Sequence, residues 1–165
     1  MKLAMIAIGA LLAGSSMAQA PAALHCPLDA PYDESNPFAR IIRGEVPVSM
    51  IAENHLVLAF VPLGWEHPGH ALVVPRRAVR NLNDMTEAEM AAVIHMVKRV
   101  AVAQQKVFGS TGFTLEQNNG RNQEVCHAHF HVIPNSAATS GESRSRAEMD
   151  LVASKLRAAL PPEQF

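Results

Sequence analysis

Residues 123–134 read QEVCHAHFHVIP, with histidines at 127, 129 and 131. A spacing of two is the period of a strand, where successive side chains point to opposite faces. The stretch therefore reads as a strand with His127, His129 and His131 on one face and Cys126, Ala128, Phe130 and Val132 on the other. Just before it lies GFTLEQ (112–117), a second extended run, and NNGRN (118–122), a turn. Together they predict an antiparallel hairpin with a five-residue connection.

Further upstream, SMIAENHLVLAFV (49–61) holds two extended runs broken at Glu53-Asn54, and HALVVPRR (70–77) is another strand ended by Pro75. NPFARIIRGE (36–45) predicts a short helix: Asn36 suits the N-cap, Pro37 the first turn and Gly44 the stop. TEAEMAAVIHMVKRVAVAQQKVFG (86–109) predicts the main helix. Thr86 and Glu89 form a capping box, and Met90, Val93, Ile94, Val97, Val100, Ala101 and Val107 follow helical spacing up to Gly109. A second helix is expected from Ser145, capped with Glu148, to the residues before Pro161. Strands and helices do not alternate regularly, which favours an α+β fold with an antiparallel sheet.

The chain has 165 residues, 18% charged and 48% hydrophobic, with a formal net charge of −1. This describes one ordinary globular domain, and no global basic field points to nucleic acid. Arg76, Arg77 and Arg80 cluster locally, either as a solvated strand end or as ligand contacts. Residues 1–20 have the form of an export signal: a positive start, an apolar stretch too short to span a bilayer, then small residues, with cleavage after Ala18 or Ala20. A periplasmic or secreted protein without membrane attachment is expected. Residues 21–35 read as an irregular arm, 36–135 as the domain, and 136–165 as a polar loop and C-terminal helix. Cys26 and Cys126 either bridge, closing a loop of about 100 residues worth up to roughly 4–5 kcal/mol on the chain-entropy model, or stand as two separate thiols.

Three imidazoles in a row admit three uses. One metal held by all three is disfavoured. At ~3.3 Å per residue the Cα atoms of His127 and His131 lie about 13 Å apart. A metal reaches only about 6 Å from each Cα. His127 and His129 alone make half a site. A face that merely hydrogen-bonds is the second use. The third is phosphorus chemistry: neutral imidazole is nucleophilic near pH 7 when its other nitrogen is held as N–H. The middle residue, His129, has neighbours on both sides to fix its tautomer, and the flankers can donate protons. Gln123, Asn118 and Asn119 add neutral donors, and Gly120 allows backbone N–H groups to approach an anion.

These residues resemble the histidine triad (HIT) family signature, His-φ-His-φ-His-φ-φ with φ apolar, met here by residues 127–133. The resemblance extends over residues 36–135, through FARIIRGEVPVSMIAENHLVLAF, HPGHALVVPRR and GFTLEQNNG. It implies an antiparallel sheet with a long central helix, a homodimer, and a nucleotide-like small-molecule substrate. The implied reaction cleaves phosphoramidate or phosphoanhydride bonds at the α-phosphate through a nucleotidyl-histidine. Carried over, His129 is the nucleophile, its Nδ1–H held by the carbonyl of His127. His131 meets phosphate oxygens or the leaving group, and His70 pairs with His127. Gln123 and Asn118 or Asn119 bind around the phosphate. The alternative is a non-catalytic nucleotide- or metal-binding protein that retains the histidine face.

The sequence departs from the family pattern in places. Pro62 stands where many members carry the acidic residue that grips ribose, and Trp65, Glu66 and His67 replace small or apolar residues. The turn before Gln123 is shorter and lacks a glycine. The positions of the structural zinc ligands of some members read Asn36, Ala39 and Ala78, so neither metal nor other cofactor is expected.

Overall fold

The computed structural model describes residues 26–63, 67–135 and 145–163. Its elements are α1 (Pro37–Ile42), β1 (Ser49–Glu53), β2 (Val57–Val61), β3 (Ala71–Pro75), α2 (Glu87–Phe108), β4 (Phe113–Glu116), β5 (Phe130–Pro134) and α3 (Arg146–Ala159). The strands form one antiparallel sheet in the order β1-β2-β3-β5-β4, an α+β architecture. The expected export segment lies outside the described residues, as do Trp65 and Glu66.

The helix boundaries follow from local chemistry. Asn36 Oδ1 accepts the Ala39 N–H at 2.9 Å to start α1, with Pro37 in the first turn where no N–H is needed. Thr86 and Glu89 close a reciprocal capping box on α2, and Gly109 ends it in the left-handed region at φ 63°. Ser145 and Glu148 do the same at the start of α3. Between β1 and β2, Asn54 Oδ1 accepts the N–H groups of Leu56 and Val57, which makes the polar break a tight corner.

The central strands β2, β3 and β5 are buried on both faces, in two unequal layers. Val57, Ala59, Val61, Val73, Phe130 and Val132 pack against Val93, Met96, Val97 and Val100 of α2 and Met149, Ala153 and Leu156 of α3. The alternate residues Leu58, Phe60, Leu72 and Val74 pack on the other face with Phe38, Ile41 and Ile42. Ile94, which the helical spacing placed in the core, is instead 51% exposed on α2. No helix among the described residues is long and apolar enough to cross a membrane.

The hairpin differs from expectation. β4 and β5 do pair, with Glu116 opposite His131, but the connection runs over residues 117–129 and is much longer than five. Only His131 lies in the strand. His127 and His129 sit on the approach to it, where a 3-10 turn at Gly120–Asn122, a His127 N–H bond to the Val125 carbonyl and an Ala128 N–H bond to the Val79 carbonyl replace sheet pairing. The alternation of faces survives, because Ala128, Phe130 and Val132 still bury in the larger layer.

The two cysteines are bridged. Cys26 and Cys126 lie with Cα atoms 5.3 Å apart across a separation of 100 residues.

Candidate active site

The approach to β5 puts the histidines on the smaller face of the sheet, beside Phe38. His129 is only 3% exposed. Its Nδ1 lies 2.7 Å from the carbonyl oxygen of His127. A carbonyl only accepts, so Nδ1 carries the proton and Nε2 keeps its lone pair. Phe38 meets the ring edge-on with centroids 5.1 Å apart, and His131 lies at 5.2 Å on its other flank. Burial pulls the His129 pKa down, opposed by the hydrogen bond to the His127 carbonyl and aided by the neighbouring His131. The ring is neutral near pH 7, with one nitrogen oriented and the other nucleophilic.

His127 is fully buried and saturated. Its Nε2–H donates to the Pro75 carbonyl at 2.9 Å, and its Nδ1 accepts the hydroxyl of Tyr32. Burial holds its pKa at about 4. Zinc does not fit here: both ring nitrogens are taken, Asn36 is spent as the α1 cap and Ala39 and Ala78 have no ligand atom. Among the described residues no group of three His, Cys, Asp or Glu side chains is placed to hold a metal.

His70 reaches the site from the start of β3, but its partner is not His127. Its Nε2 lies 2.9 Å from Nδ1 of His131, with the two rings stacked at 5.1 Å. The distance of His127 follows from register: Leu72 is opposite His131, so a residue just before β3 lies near the far end of the triad. The His70 Nδ1 is buried without a partner. A buried lone pair costs less than a buried N–H, so His70 donates from Nε2 and His131 carries its proton on its own Nε2. Burial, then His131 and His67, lowers the His70 pKa to about 4. Its Nε2–H lets His131 donate to an oxyanion or to a departing group.

A cleft opens over these rings, lined by His70, Glu116, Asn118, Asn122, Glu124, His129, His131 and Ile133. Asn118 stands in it as expected. Three other expected contacts do not. Gln123 is 1% exposed, and both hydrogens of its amide go inward to the carbonyls of Arg80 and Val125. Asn119 turns outward to accept the Leu82 N–H and donate to Gln117. Gly120 is buried at φ 67° with its open side toward Leu28 and Cys26 of the arm. Each of these groups meets a nearer protein partner than the cleft, so they hold the connection in shape. The arginine cluster is also structural: Arg76 ties to Glu53, Arg77 to Glu89, and the buried Arg80 to the carbonyls of Pro27 and Pro31.

The residues missed by sequence reasoning are Glu116, Asn122, Glu124 and Ile133 in the cleft, and Phe38 and Tyr32 behind it. Glu116 stands opposite His131 only because the connection is long; the expected five-residue turn would have set it opposite Glu124. Nothing in the sequence marked Tyr32. An apolar pocket beside Phe38 is walled by Ile41, Val48, Phe60, Pro62, Leu63 and Arg146. Pro62 therefore does border the space next to the triad.

A sequence model of the HIT domain matches residues 43–138. The chain belongs to the HIT domain family. An uncharacterized HIT-like protein of Methanocaldococcus jannaschii is 38% identical over 99 residues, which is 59% of this chain and 76% of that protein. The adenosine 5'-monophosphoramidase of Schizosaccharomyces pombe is 35% identical over 99 residues, covering 59% of this chain and 71% of that one. The crystal structure of a Hit-like protein involved in cell-cycle regulation from Bartonella henselae superposes with a TM-score of 0.75 at 36% identity, covering 79% of this chain and all of that one. The arm and α1 precede the matched residues.

Proposed function

We propose that the chain is a nucleotidyl-histidine hydrolase that cleaves the P–N bond of nucleoside phosphoramidates. The observation that carries this reading is the 2.7 Å bond from His129 Nδ1–H to the His127 carbonyl, which leaves Nε2 unprotonated beside the cleft. Nε2 attacks the α-phosphorus, forming an N–P bond as the P–N bond to the leaving amine breaks. His131 supplies the proton that the amine takes away. Water then attacks the same phosphorus, its proton passing to His131, which releases the nucleoside monophosphate and restores both histidines.

The cleft favours the phosphoramidate over a dinucleoside polyphosphate. Glu116 and Glu124 line it, and no Lys or Arg does among the described residues. Two carboxylates repel a polyphosphate leaving group and attract an amine that departs toward ammonium. The likeness to the phosphoramidase of S. pombe supports the same choice. The apolar pocket beside Phe38 suits a base, with ribose held without the help of a carboxylate at Pro62.

Incubation with adenosine 5'-phosphoramidate tests the reading. Wild type releases AMP and ammonia, and His129→Ala and His129→Asn lose turnover by at least about a thousandfold while His129→Asn still binds nucleotide. Full activity in His129→Asn, or tight zinc or copper binding without turnover in wild type, overturns it.

Assembly and location extend the proposal. The chain forms a homodimer through the edge strand β4, whose four residues are all exposed and whose Phe113 and Leu115 frame an apolar groove with Ile94 and Val97 of α2. Sedimentation checks this, and Leu115→Glu shifts the mass to a monomer. Export to the periplasm or beyond is supported by the Cys26–Cys126 bridge, since disulfides persist in oxidising compartments.

A further inference from the structure

We propose that Tyr32 is a positioning residue for His129, held in place by the Cys26–Cys126 bridge. The inference rests on the hydrolase reading above and concerns a segment outside the matched domain, which begins at residue 43.

Residues 26–35 form no helix or strand, yet four ties fix their path across the back of the triad. The bridge joins Cys26 to the residue immediately before His127. Arg80 donates to the carbonyls of Pro27 and Pro31, the latter at 2.8 Å, and Asn81 donates to that of Leu28 at 3.0 Å. The chain is thereby delivered with Tyr32 against His127, rings edge-on with centroids 5.6 Å apart.

The contact is directional. Pro75 claims the Nε2–H of His127, so Nδ1 has only a lone pair to offer, and the Tyr32 hydroxyl donates to it. His127 is thus held at both ends of its ring. Its carbonyl is the acceptor that orients His129. Tyr32 does not line the cleft. It acts through His127, as an outer partner acts on a ligating histidine. Without it, His127 has a buried acceptor with no donor, and water or a rotated ring relaxes the carbonyl that aims the nucleophile.

Tyr32→Phe removes only the hydroxyl. We expect kcat on adenosine 5'-phosphoramidate to fall about tenfold with KM within about twofold, because aim and not binding is lost. The nitrogen-15 resonance of His127 Nδ1 moves downfield to the position of an imidazole nitrogen without a hydrogen bond. Cys26→Ser/Cys126→Ser produces the same kinetic loss and the same resonance shift. Dithiothreitol, which takes the two sulfurs to thiols and is itself oxidised to a cyclic disulfide, lowers wild-type kcat by the same factor and leaves Tyr32→Phe unchanged. An unmoved His127 resonance in Tyr32→Phe, or an unchanged kcat, overturns the proposal. A wild type that turns over no phosphoramidate overturns the hydrolase reading instead, and the resonance still decides whether Tyr32 holds His127.

Discussion

Gly69 shows how closely the site depends on single positions. It sits at φ 87° one residue before His70, and a Cβ built there would lie 2.3 Å from the ring of Phe108 at the end of α2. Only glycine meets both conditions. Gly69→Ala is expected to cost about 2 kcal/mol or more in a urea titration and to lower kcat, since relief of the clash displaces His70 from His131. The triad residues divide labour by the same kind of local accounting. His127 has both nitrogens engaged and only its carbonyl left to serve chemistry. His129 has one nitrogen engaged and one available.

At the scale of elements, α2 organises the histidine end of the sheet. Gln104 is fully buried on this helix, and its Nε2 donates to the Gly69 carbonyl at 2.9 Å and the Val132 carbonyl at 2.8 Å. Those carbonyls flank His70 and His131, so one amide joins β3 to β5 where the two rings stack. Gln104→Leu keeps the volume but leaves two buried carbonyls without this donor. The expected loss is about 1–3 kcal/mol by chemical denaturation, with kcat reduced more than KM is raised. The connection from β4 to β5 behaves as a built object of the same kind. Gln123, Asn119 and Gly120 resemble phosphate contacts in one dimension. In three they are struts, because they meet backbone groups of Arg80, Val125 and Leu82 and the arm itself.

For the whole molecule, pH couples the site to stability. His70 and His127 have pKa values of about 4 in the fold against 6.5 in the free side chain, through burial. Below pH 6.5 the unfolded chain takes up protons that the folded one refuses. Stability is therefore full above about pH 6.5 and drains as pH falls toward 4, by up to roughly 3 kcal/mol for each ring. Glu89, held at about 2 by the Arg77 guanidinium, acts in a lower window: its contribution is present above pH 4.5 and is lost toward pH 2. Melting temperatures from pH 8 to 4 should decline on the acid side, and His70→Asn should flatten that decline. A flat profile between pH 6.5 and 4 in wild type contradicts the buried neutral rings.

Local patterns determined a great deal alone. Caps at Asn36, Thr86 and Ser145, the corner at Asn54 and the alternation in residues 126–132 are readable because each is decided by partners within a few residues. The bond that orients the His129 ring is equally local: the acceptor for its Nδ1–H is the carbonyl two residues before it. Tertiary structure decided what depends on distant segments meeting. It paired His70 with His131, closed Cys26 onto Cys126, turned Gln123 inward and brought Glu116 and Glu124 into the cleft. Each of those outcomes is a competition among partners for one hydrogen bond or one open face, and which partner stands nearest is settled only once the sheet, α2 and the arm have packed.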